Sequence, residues 1–131
     1  MQQTQLKLTI QSQRVVVGCT AEMFVDYCWN TFKRQCPTEF GPELHAFINQ
    51  ICETNTTNIA SVELDEKQMR ALLANLRIVI DQYLAQDEPS GISSLLSRVL
   101  RDKYLEFYFA FAASIYSALN SNTRIHVHGA N

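Results

Sequence analysis

The longest apolar pattern in the chain runs from Ile92 to Leu119. At 3.6 residues per turn, Leu96, Leu100, Tyr104, Phe107, Phe111, Ile115 and Leu119 form one stripe. Leu95, Leu105, Phe109, Ala112, Ala113 and Tyr116 form a second, roughly opposite the first. Apart from the tyrosine hydroxyls, only Glu106, Ser114 and Ser117 are polar between Tyr104 and Leu119. A helix apolar on two sides is either a core helix or a membrane span. A span needs about 18 or more consecutive apolar residues. Glu106 interrupts this run, and Arg98, Arg101, Asp102 and Lys103 precede it, so the pattern predicts a central helix with other elements packed around it.

The rest of the chain supplies those elements. Leu6, Leu8 and Ile10 alternate with Lys7 and Thr9 over residues 5–10, and residues 14–19 form a second, β-branched run. Together they predict an amino-terminal hairpin, although its turn lacks an Asn-Gly type of signal. Thr20 reads as a helix N-cap with Glu22 in the first turn, opening a helix that ends near Arg34. Cys36-Pro37 stops it. Gly41-Pro42-Glu43 starts a short amphipathic helix whose face is Leu44, Phe47, Ile48, Ile51 and Cys52. Residues 53–61 read as an exposed polar loop.

Asp65 is the best-marked helix start. It caps, Gln68 is its capping-box partner, and Leu64 and Met69 suit a hydrophobic staple. Met69, Leu72, Leu73, Leu76, Val79, Ile80, Tyr83 and Leu84 then share a face. Residues 87–91 turn the chain into the central helix, and so short a connector predicts antiparallel neighbours. After Asn120-Ser121-Asn122, Thr123, Ile125 and Val127 alternate with Arg124, His126 and His128, which predicts a third strand added to the hairpin. The expected fold is α+β and mostly helical. It has about four main helices, organised around the central one at 92–119, with a small antiparallel sheet built from the amino-terminal hairpin and the carboxyl-terminal strand.

Composition narrows the function. With 131 residues the chain suits one domain, residues 1–131, and 47% hydrophobic content gives it a core. A net charge of −2 argues against a surface built on phosphate contacts, so no nucleic-acid partner is expected. Met1-Gln-Gln-Thr-Gln-Leu-Lys7 lacks a basic start followed by an apolar run, which favours a cytoplasmic chain whose four cysteines are thiols.

The candidate chemistry is sparse. His126 and His128, two apart on a strand, point the same way and could share a metal ion. A third ligand would have to be His45 or a cysteine. Cys19, Cys28, Cys36 and Cys52 have no Cys-x-x-Cys spacing, and Cys28 and Cys52 fall on apolar helix faces. Cys19, just ahead of a helix, has the position for a lowered pKa, and a nucleophilic thiol would need a base such as His45. Gly18, Gly41, Gly91 and Gly129 are isolated, so no phosphate loop is present. Trp29, Tyr104, Tyr108 and Tyr116 are the candidates for a ligand pocket or an interface. The central helix offers two apolar faces that so small a domain need not cover, and an uncovered one would be an interface, most simply a twofold one.

The sequence therefore favours a small non-enzymatic protein-interaction module, an adaptor, assembly chaperone or inhibitor of the immunity type. It would be homodimeric, without a cofactor and without membrane attachment. The alternative is a small-ligand or metal-binding domain using the aromatic pocket and the His126/His128 pair.

Overall fold

A computed structural model describes residues 6–32, 40–85 and 92–130, and gives only the backbone of residues 29–32, 92–98, 100 and 101. The element order is β1 (Lys7–Gln11), β2 (Val16–Thr20), α1 (Ala21–Phe32), α2 (Gly41–Thr54), β3 (Ser61–Leu64), α3 (Glu66–Leu84), α4 (Ile92–Asn120) and β4 (Ile125–Ala130). The fold is α+β and mostly helical, as the periodicities predict. The sheet has four antiparallel strands in the order β2-β1-β4-β3, one more than expected. The extra strand, β3, begins at Ser61, where the sequence reads as the end of a polar loop. Val62 and Leu64 are buried and Glu63 exposed, a two-residue period too short to stand out.

Local chemistry starts and stops these elements. In the β1–β2 turn Ser12 replaces the missing Asn-Gly signal: its hydroxyl accepts from Val15 N–H at 3.1 Å, and its own N–H donates to Val15 C=O at 2.9 Å. Thr20 Oγ1 accepts from Met23 N–H at 3.3 Å, the expected cap of α1. Gly41 opens α2 at φ +77°, a conformation an L side chain resists, and Asn55 ends it in the left-handed region. Asp65 and Gln68 form the predicted capping box, with bonds of 2.8 and 3.0 Å. Gln68 Nε2 also donates to Phe40 C=O, tying the start of α3 to the start of α2. Residues 33–39 and 86–91, which hold the expected stop at Cys36-Pro37 and the α3–α4 connector, lie outside the described residues.

One face of the sheet is buried and the other is wet. Leu8, Ile10, Val17, Cys19, Val62, Leu64, Ile125 and Val127 point inward, while Lys7, Gln11, Val16, Ser61, Glu63, His126 and His128 point outward. The helices cover the inner face. Phe107, Phe111 and Ile115 of α4 meet a core completed by Phe24 and Tyr27 of α1, Phe47 and Ile51 of α2, and Leu72, Leu76 and Val79 of α3. Tyr27 and Phe111 lie at the centre, with ring centroids 5.6 Å apart.

Candidate interaction surface

The two stripes of α4 meet different fates. Among the described side chains of the first, Phe107, Phe111 and Ile115 are buried and Tyr104 and Leu119 half-buried. The second stripe divides. Leu105 and Ala112 are buried, but Phe109 is 51% exposed, Tyr116 45% exposed, and Ala113 between them is open. Val99, 64% exposed, extends the open side toward the start of the helix, with Asp102 and Glu106 along it. Fully burying one such side chain is worth roughly 1.5–3 kcal/mol. Leaving two aromatics and a valine on one helix face therefore forgoes a large share of a small domain's stability.

The candidate aromatics do not gather in one place. Tyr116 belongs to this open face. Tyr108 is buried, and its hydroxyl donates to Asp26 Oδ2. Tyr83 donates to the same oxygen at 2.7 Å, so one carboxylate of α1 joins α3 and α4. Tyr104 is half-exposed, one turn before Tyr108. Burial raises the phenol pKa of Tyr83 and of Tyr108, and the hydrogen bonds they donate to Asp26 raise them further. Burial, then the charges of Asp26 and Glu22, raises Tyr104. All three therefore stay protonated near neutral pH, as hydrogen-bond donors rather than bases. Trp29 belongs to the backbone of α1, and its side chain lies outside the described residues.

His126 and His128 project from the outer face of β4 with rings nearly parallel, 15° between planes and 6.2 Å between centroids. Glu63 on β3 stands opposite His126. One carboxylate oxygen lies 3.9 Å from His126 Nδ1, and the other accepts from Arg124 at 2.7 Å. Among the described residues, no group of three or more His, Cys, Asp or Glu has the arrangement of a metal site. His45 is on α2 and its Nδ1 pairs with Asn49 at 3.1 Å.

The cysteines correct one expectation. Cys19 does not have a lowered pKa: it faces the core from β2, and burial pushes its thiol up to about 12. Its strand position aims it under the sheet rather than at the amino end of α1. Cys28 on α1 and Cys52 on α2 are neighbours, and a hydrogen bond with Cys28 holds Cys52 below its ordinary value, against burial and the charge of Glu53. Cys36 lies outside the described residues.

A groove of about 540 Å³ runs between β2 and α4, with Val16, Gly18, Lys103, Glu106 and Ala110 among its lining residues. Among the described residues no helix is long and apolar enough to cross a membrane. Compared with protein-family models, with curated proteins and with solved structures, the chain matches none.

Proposed function

We propose that this chain is a non-enzymatic protein-interaction module, homodimeric, that works by presenting the open side of α4 to another protein. The observation that carries the reading is the exposure of Phe109 and Tyr116 on one face of a helix whose other faces form the core. Glu106 beside them suits a partner surface that is apolar with a basic margin. Adaptors, assembly chaperones and inhibitors of the immunity type all act this way. The reading includes a cytoplasmic location, supported by cysteines present as thiols at 19, 28 and 52.

The test is capture from a lysate of the source cells with wild type and with the double variant Phe109→Glu/Tyr116→Glu. Both side chains are already wet, so the variant keeps the wild-type circular dichroism and melting temperature. A protein retained by the wild type is lost from the variant. Equal retention by both would count against the reading.

A second reading, metal binding at His126 and His128, has the parallel imidazoles in its favour. A native mass spectrum after zinc addition separates the two. A zinc increment present in wild type and missing from His126→Ala/His128→Ala would put this reading first; no increment in wild type would remove it.

A further inference from the structure

The two edges of the sheet differ. β3, at one edge, has four residues, and its Glu63 is ion-paired with Arg124. β2, at the other, reads Val-Val-Gly-Cys-Thr and pairs with β1 in a continuous register. It therefore lacks the charges, prolines and bulges that usually guard an open edge. The hydrogen bonds of the hairpin fix which of its groups are free. Ala21 N–H donates to Leu6 C=O at 3.1 Å and Ser12 N–H to Val15 C=O at 2.9 Å. By the alternation of an antiparallel ladder, Cys19 and Val17 are the residues bonded to β1. The main-chain groups of Val16, Gly18 and Thr20 point the other way, beside the groove.

Gly18 adds a second observation. Its φ is not positive, and a Cβ built on it would meet nothing within 4 Å. Nothing among the described residues requires glycine there, although glycine weakens a strand. What lacks an internal reason has an external one if another backbone comes close.

We propose that a second copy of the chain docks here, with β2 pairing antiparallel to β2 of the second copy about a twofold axis at Gly18, so that one sheet runs through both. The proposal rests on the homodimeric reading above and names its interface. Under this axis Gly18 faces its own mate, so its N–H and C=O pair reciprocally, and Thr20 N–H faces Val16 C=O of the second copy, while Thr20 C=O serves the first turn of α1. Pairing β2 to β3 of another copy would instead leave a fresh β2 open each time and build a filament. Charge points the same way. Lys103 and Glu106, three apart on the α4 wall, carry opposite signs, so that wall is self-complementary in charge to a second copy of itself. Ala110 on the same wall is small enough to let the two copies of α4 approach.

Sedimentation velocity and native mass spectrometry of the full chain test this. The wild type is a dimer. Gly18→Pro removes only an outward N–H, leaves the β1 ladder whole, and raises the dimer dissociation constant at least about 10-fold. Should that variant fail to fold, the charge pair decides. Lys103→Glu and Glu106→Lys each weaken the dimer by roughly 3-fold or more, most at low salt, and the double reversal returns to within about 2-fold of wild type. A dimer indifferent to Gly18→Pro and to both reversals overturns this interface while leaving the homodimeric reading standing. A monomer at every concentration removes both, and a ladder of higher oligomers overturns the twofold arrangement.

Discussion

Asp26 takes two tyrosine hydroxyls on one carboxylate oxygen, and its partners lie 57 and 82 residues further along the chain. In the sequence it is one polar residue between Val25 and Tyr27, with no local pattern to mark it. Such a node becomes visible only when three helices are in place. Its consequence is a pH dependence that Cys19 shares. The folded pKa values of Cys19, Tyr83 and Tyr108 all lie above the ordinary 9.0 or 10.0. Unfolding lets these groups ionise, so their contribution is complete below pH 9 and is lost as pH rises toward the folded values. For Cys19 the window runs from 9.0 to about 12, and the tyrosines add to it above 10.0. Each contributes at most about 1.4 kcal/mol per pH unit inside its window, less for Tyr83, which is half-buried. Urea midpoints should therefore fall steeply beyond about pH 9. Cys19→Ala should flatten the first part of that fall, and a midpoint unchanged up to about pH 11 would contradict the assignment.

Among the elements, α3 was the most legible, because its start is written in adjacent residues. Asp65 and Gln68 satisfy each other's backbone N–H groups at the positions the capping box requires. Asp65→Ala should cost about 1–2 kcal/mol in chemical denaturation, whereas Asp65→Asn, which keeps an acceptor, should cost less than half of that. Equal losses in the two variants would mean that the carboxylate acts through charge instead. The hairpin was legible from alternation, but its turn was not. Neither Gln13 nor Arg14 has positive φ, so the usual two-residue turn chemistry is absent and a serine supplies the bonds. β3 escaped because four residues hold only two inward side chains. Its ion pair gives little help in explaining it: Glu63 and Arg124 are both well exposed, and such pairs contribute about 0–1 kcal/mol. Val62 and Leu64, buried beneath the sheet, supply the larger share.

At the scale of the molecule, both stripes of α4 are evident in the sequence, and which of them stays open is not. That depends on where α1, α3 and the sheet land, and they land so that Phe107 and Phe111 are covered while Phe109 and Tyr116 are left out. The candidate ligand residues were scattered for the same reason. Spacing on one helix told their angles, but not which neighbours would stand opposite.

The strand order also sets a timetable. β1 is an inner strand, and the ladder that makes it so pairs residues 7–11 with residues 126–130. During synthesis β1 and β2 are made before all four helices, and β1 has to wait until those helices have been made before its second neighbour exists. Closing so long a loop is entropically costly and is rewarded only at the end. Until β4 arrives, β1 and β2 form a hairpin with both edges open. In that interval β1 is as ready to pair with a stranger as β2 is.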